Sequence, residues 1–209
     1  MSFTDDDLNA IAGLFHLAGR LKTLKRQGWI DRGVDQPESV ADHSWRLALM
    51  ALLISRRSEG IDPERAVTLA LVHDLPEAIV GDITPFDDRL KDDPDRARLF
   101  HELPEYSQQA DIAKTDAERR AIRELTAHLP DDLGILLNDA WEEYETGQTP
   151  EARLVRQLDK LETWLQALEY QSADPNLVIE SFRKGTERDL TDATLFELMR
   201  AICNRKCDE

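Results

Sequence analysis

Leu69-Ala-Leu-Val-His-Asp-Leu-Pro-Glu-Ala-Ile-Val-Gly81 sets an imidazole and a carboxylate side by side, His73 and Asp74, in an otherwise apolar stretch. Asp62-Pro63 ahead of it is a helix start, a capping side chain followed by proline at the first helical position, and Gly81 is a natural stop. The pattern predicts a helix that begins at 63, carries His73 and Asp74, and stops at 81. A His and an Asp buried without partners carry a desolvation penalty, which one divalent metal would remove from both. Working outward, a lone His43 before the pair and a distant Asp159 after it supply two more donors from other helices. Nitrogen and oxygen donors of this kind suit Mn, Fe, Co, Ni or Zn, and they leave positions free for water and substrate. The expected site is therefore open and catalytic.

The flanking segments read as helices too. Ile11, Leu14, Phe15, Leu17, Ala18 and Leu21 form a 3.6-residue stripe that predicts a first helix over 5–24. Gly28 and Gly33 interrupt the chain in a charged, aromatic loop at 25–38. Ser39, with Asp42 three residues on, caps a helix running to about Arg57, so His43 lies in its first turns. Residues 87–111 are acidic and proline-punctuated, which predicts a loop and a short helix lying over the site as a lid. Thr115 and Glu118 predict a capping box for a helix ending near His128, and Asp131 or Asp132 starts another that stops at Gly147. Thr149-Pro150 opens a helix whose apolar stripe, Leu154, Val155, Leu158, Leu161, Trp164, Leu165 and Leu168, runs beside Asp159. Asp174-Pro175 and Thr191 open the last two. Strand signals are nearly absent, and the fold class is all-α, a compact irregular helical bundle.

Length and composition bound the rest. The 209 residues, 41% of them hydrophobic, fit one domain with a real core. The 42 acidic against 26 basic residues give a net charge of −16, which repels phosphate backbones and argues against a nucleic-acid partner. Neither a long apolar run nor a signal-like N-terminus is visible, so a cytoplasmic protein without membrane association is expected. Cys203 and Cys207 lack a second Cys or His pair and read as two reduced thiols.

Around the expected metal, Glu77 lies four residues after His73 and shares its face, so it is placed either to manage a proton or to be a surface glutamate after Pro76. Arg26 offers a planar fork of donors to a phosphate, or is a solvated charge beside Lys25. Asp82 is a site residue or an ordinary turn cap.

Three stretches then converge: Pro-Glu-Ser-Val-Ala-Asp-His43-Ser-Trp-Arg, Leu-Val-His73-Asp74-Leu-Pro-Glu77-Ala-Ile-Val-Gly-Asp82-Ile-Thr-Pro85, and Gln-Leu-Asp159-Lys-Leu-Glu. Together they resemble the HD-domain metal-dependent phosphohydrolases, and within these the 5'-deoxynucleotidase branch, over roughly residues 10–170. The resemblance implies a single HD domain over 1–209, with C-terminal helices at 175–205, and a homodimer. It implies one divalent metal, Co, Mn, Mg, Fe, Ni or Zn, held by His43, His73, Asp74 and Asp159. It makes Glu77 the catalytic carboxylate and Arg26 the phosphate-orienting arginine, and it has Asp82, Ile83, Thr84 and Pro85 contact the nucleoside. Asp74 and Asp159 would touch substrate as well as metal.

The implied reaction is hydrolysis of nucleoside 5'-monophosphates, deoxy forms foremost, to nucleoside and phosphate. A cyclic or dinucleotide phosphodiesterase, a nucleoside triphosphohydrolase and a non-catalytic metal-containing binding protein are the alternatives. One departure bears on the sugar: bacterial deoxynucleotidases carry an aromatic directly after the arginine, whereas Gln27 follows Arg26 here and the nearest aromatic is Trp29. His101 and His128 fall in the interval where some relatives place ligands for a second metal, but neither sits in such a context. His16 is expected to be structural.

Overall fold

The computed structural model describes residues 3–92, 96–103 and 105–205, and among them it is helical throughout, with a lone antiparallel bridge between Lys25 and Ser39. Twelve α-helices are described, with a short 3₁₀ helix, Gly19–Lys22, following the first, so the helix expected over 5–24 is α only to Ala18: α1 Asp5–Ala18, α2 Gln27–Ile30, α3 Val40–Ser55, α4 Pro63–Val72, α5 Glu77–Val80, α6 Asp87–Asp92, α7 Arg96–Leu99, α8 Gln108–Thr126, α9 Asp131–Thr146, α10 Pro150–Ala173, α11 Glu180–Asp189 and α12 Ala193–Arg205. The core is built where α3, α4, α9 and α10 pack together, and its buried residues run from Leu21 to Met199. None of the described helices is long and apolar enough to cross a membrane.

Several boundaries follow from local chemistry. Ser39 caps α3 in a full capping box with Asp42, Asp62 caps α4 ahead of Pro63, and Thr149 caps α10 ahead of Pro150, each as expected. The segment 63–81 is not one helix: α4 ends at Val72 and α5 begins at Glu77. Pro76 has no N–H and its ring crowds the carbonyl four residues back, so the chain tightens into three-residue hydrogen bonds such as Leu75 N to Val72 O (3.0 Å) and Glu77 N to Asp74 O (3.1 Å). His73 and Asp74 thus sit in a turn between two helices. Gly81 then takes φ +82°, which L-residues adopt rarely, and ends α5.

Other expectations need correction. α8 begins at Gln108, where Ser107 accepts from Ala110 N, well ahead of the Thr115 cap read from the sequence; Thr115 lies inside the helix and donates to Glu145. Asp174 closes α10 and binds Asn176 N, so α11 begins only at Glu180, and Asp192 rather than Thr191 caps the start of α12. On α1, Leu14, Leu17 and Ala18 pack on the core, whereas Phe15 is 70% exposed and His16 is exposed, so neither belongs to a buried stripe. Cys203 packs half-buried on the core, and Cys207 lies outside the described residues.

The loop 25–38 is closed at its neck by Arg26 N to Glu38 O (3.1 Å) and Val40 N to Leu24 O (2.9 Å), which fixes Arg26 beside the start of α3. Phe86, Leu90, Leu99 and Phe100 form a small apolar cluster of their own, with Val178 against it. Arg32 pins this cluster to the body. Its guanidinium lies 4.1 Å from the ring centroids of both Phe100 and Phe182 and donates to Gly28 O, Val178 O and Ser181 Oγ. Burial pushes its pKa down to about 9, which leaves it charged at neutral pH.

Candidate metal centre

Four chain segments meet at one point. α3 brings His43, the turn between α4 and α5 brings His73 and Asp74, α10 brings Asp159, and the neck of the 25–38 loop brings Arg26. Asp74 Oδ2 is the hub, 3.1 Å from His73 Nε2, 3.8 Å from His43 Nε2 and 3.2 Å from Arg26 Nη1. His43 Nε2 is also 3.2 Å from Asp159 Oδ1. Ligand atoms of His43, His73 and Asp74 all lie within 4.8 Å of one another.

The donor set fits a divalent metal on a test independent of motif. Each imidazole has its Nδ1 occupied, His43 by Glu162 and His73 by Ala70 O at 2.9 Å, and turns its Nε2 inward. Both Nε2 atoms are buried, 3.1 and 3.2 Å from the Asp74 and Asp159 carboxylates, and neither is aligned for a hydrogen bond. Buried polar atoms are otherwise satisfied in folded proteins, so two such nitrogens facing two carboxylates point to a cation between them.

Electrostatics separate the carboxylates. Burial alone would raise Asp74, but His73, Arg26 and His43 hold it well below its ordinary range. Burial likewise opposes ionisation of Asp159, and Lys160, His43 and His73 overcome it. Glu77 goes the other way: burial, then the negative charges of Asp74 and Asp82, push it well above 4.5 despite Arg26 and Lys114. Its Oε2 is buried without a partner, one helical turn from the ligands. Arg26 is disfavoured by burial but carried above its usual value by Asp82, Asp74, Glu77 and Asp159.

The turn after Gly81 is held in place from several sides. Asp82 accepts from Gln27 N at 2.7 Å, which ties the turn to Arg26's neighbour; Ile83 O accepts from Tyr106 Oη at 2.5 Å; and Thr84 donates to Asp87. Asp82, Ile83, Thr84 and Pro85 are each half-buried. Trp29, the nearest aromatic after Arg26, is 1% exposed, packs on Tyr170 and Phe182 and donates to Glu38, so it belongs to the core. His101 lies beside Glu180 and His128 is exposed; neither joins the cluster.

Reading from the sequence missed Lys114, Tyr144, Lys160 and Glu162. Tyr144 donates to Asp159 Oδ2 at 3.3 Å and its ring lies 5.0 Å from that of His73. Lys160 reaches the same oxygen at 2.9 Å, and Lys114, paired with Glu118 at 2.6 Å, bears on Glu77. The i, i+3 spacing of Asp159 and Glu162 on α10 was the available signal for Glu162, and the i, i+4 spacing of Lys114 and Glu118 was the one for that pair. Tyr144 has no local signal, since its contacts depend on how α9 packs against its neighbours.

Comparison with known proteins identifies the family. The family model described as HD domain matches residues 18–197. The human protein named 5'-deoxynucleotidase HDDC2 is 36% identical over 92% of this chain and 80% of its own length. The Schizosaccharomyces pombe protein named 5'-deoxynucleotidase hdd1 is 35% identical over 73% of this chain and 68% of its own. Among solved structures, a conserved hypothetical protein from Pyrococcus furiosus superposes with a TM-score of 0.69 at 29% identity, covering 91% of this chain and 98% of that one. From its family model, its relatives and its all-helical architecture, the chain belongs to the HD-domain family.

Proposed function

We propose that this protein is a metal-dependent phosphomonoesterase that hydrolyses deoxynucleoside 5'-monophosphates to nucleoside and phosphate. The observation that carries the reading is the pair of inward-facing, unpartnered Nε2 atoms beside Asp74 and Asp159, with a buried Glu77 and Arg26 alongside. The similarity to proteins named 5'-deoxynucleotidases along most of the chain supports the substrate.

His43, His73, Asp74 and Asp159 would hold the ion, which supplies Lewis-acid polarisation and neutralises charge on the phosphoryl group. Arg26 presents Nη1 at the rim of the site, where a phosphate oxygen can share it with Asp74. Glu77, whose pKa burial and its acidic neighbours push upward, is suited to deliver a proton to the departing 5'-oxygen as the P–O bond breaks, a water oxygen bonds to phosphorus and the proton that water sheds returns to the carboxylate. The turn 82–85, held by Gln27 and Tyr106, forms the wall for the nucleoside.

The whole chain, 1–209, is read as one HD unit acting in the cytoplasm, supported by a core that joins its first and last helices. A homodimer is proposed as well, and the outward face of α3 supports it: Trp45, Leu49, Leu52 and Leu53 are all exposed there.

The test is phosphate release from ribo- and deoxyribonucleoside 5'-monophosphates, with 3'-monophosphates, triphosphates and cyclic nucleotides as controls, each with Mn, Co or Mg. Release from the 5'-deoxy substrates that is lost in Asp74→Ala is expected. Activity confined to cyclic or triphosphate substrates, or silence with metal bound, would overturn the reading.

A further inference from the structure

Behind the ligand His43 lies a chain of side chains that nothing in the reaction calls for. His43 Nδ1 contacts Glu162 Oε2, and both side chains are completely buried. The other oxygen, Glu162 Oε1, accepts from Arg46 Nε at 2.8 Å. Arg46 is itself held along α10: Nη1 donates to both oxygens of Glu169 at 2.9 and 2.8 Å, and Nη2 donates to Gln166 at 2.7 Å. Glu38 also lies near His43 and Glu162, but its Oε1 takes the Trp29 indole N–H at 3.0 Å. Glu162 is therefore the group seated on Nδ1.

We propose that Glu162 is a positioning residue that dictates which ring nitrogen of His43 faces the metal site, and that Arg46 keeps Glu162 oriented for this role. The proposal rests on the divalent-metal reading of the centre and not on the choice of substrate. A neutral imidazole carries one N–H, and a carboxylate only accepts, so Glu162 requires the hydrogen on Nδ1 and leaves the Nε2 lone pair free toward Asp74 and Asp159. His73 is backed by the Ala70 carbonyl, a neutral acceptor, so the two imidazoles are held in the same tautomer by groups of different charge. A carboxylate behind the ring makes it the stronger donor of the two.

The geometry makes a specific demand of Glu162→Gln. An amide has one oxygen, and two N–H groups approach it here, from Arg46 and from His43. Arg46 cannot give up its hydrogen, so the amide oxygen turns to Arg46 and the NH2 group turns to Nδ1. His43 must then accept at Nδ1 and carry its hydrogen on Nε2, which blocks ligation. Removing Arg46 as well frees the amide to rotate and present its oxygen to Nδ1.

The experiment is a cobalt(II) titration, followed by absorption, of wild type, Glu162→Gln, Arg46→Met and the double variant, with Tm of each metal-free protein measured alongside. Glu162→Gln is expected to bind cobalt about 10- to 100-fold more weakly, and the double variant to regain most of that loss. A folded Glu162→Gln that binds within about twofold of wild type, or a double variant no better than the single one, would overturn the proposal. A purely structural role for Glu162 gives no such rescue. Should Glu162→Gln not fold, proton–nitrogen NMR of the histidine rings in zinc-loaded wild type decides: a strongly downfield Nδ1–H on His43 is expected, and a bare Nδ1 overturns the proposal. The readout is metal binding, so failure of the substrate panel is a separate result.

Discussion

Glu77 and Asp74 stand three residues apart in one turn, and their surroundings push their pKa values in opposite directions. Asp74 is surrounded by His73, Arg26 and His43, while Glu77 faces the charges of Asp74 and Asp82 from a buried position. Glu77→Gln keeps shape and removes the transferable proton, so kcat is expected to fall by about 100-fold or more, with cobalt affinity and KM little changed; steady-state kinetics beside a metal titration check it. Arg26→Ala removes a phosphate donor while leaving the ligands, so its main effect is expected as a rise in KM of about tenfold. An unchanged KM would mean that Arg26 serves only Asp74. At this scale the proposed ligands stood out because their types and spacing form a pattern along the chain. Tyr144 did not, because a tyrosine on a polar helix has nothing to set it apart until α9 is packed against the centre.

At the scale of elements, helix caps are more legible than helix interruptions. Ser39, Asp62 and Thr149 act within three residues of themselves, so the sequence contains the whole interaction. Pro76 is equally visible, yet the apolar pattern on either side of it continues in register and reads as one helix through to Gly81. The break matters, since the chain tightens into three-residue hydrogen bonds directly after His73, between the His73-Asp74 pair and Glu77. The 86–100 segment stands out by its acidic, proline-punctuated sequence, but its attachment through Arg32 joins residues far apart along the chain. Arg32→Ala strips three acceptors of their donor and opens a gap between Phe100 and Phe182. It is expected to destabilise the protein by about 2 kcal/mol, or roughly 4–8 °C in Tm, as calorimetry can measure. A Tm within error of wild type would mean that the cluster holds to the body without it.

For the whole molecule, the class was legible because nearly every segment carries a helical period and a stop, while the crossings that build the centre are tertiary and have no local signature. A chain of net charge −16 gathers Asp74, Glu77, Asp82 and Asp159 around one point, where cations relieve their repulsion. Adding Mn or Co to metal-free protein at about 100 times Kd is expected to stabilise it by about 2.7 kcal/mol, or roughly 5–10 °C in Tm; no shift in a thermal melt would contradict binding by the folded state. The proposed ligands come from residue 43, residues 73 and 74, and residue 159, so no local stretch of chain can assemble them. Long loops must close first. Metal capture is therefore expected to be a late event in folding, after the rate-limiting barrier. In stopped-flow measurements the ion should leave the refolding rate unchanged and slow unfolding alone, acting as a lock turned after the door has closed.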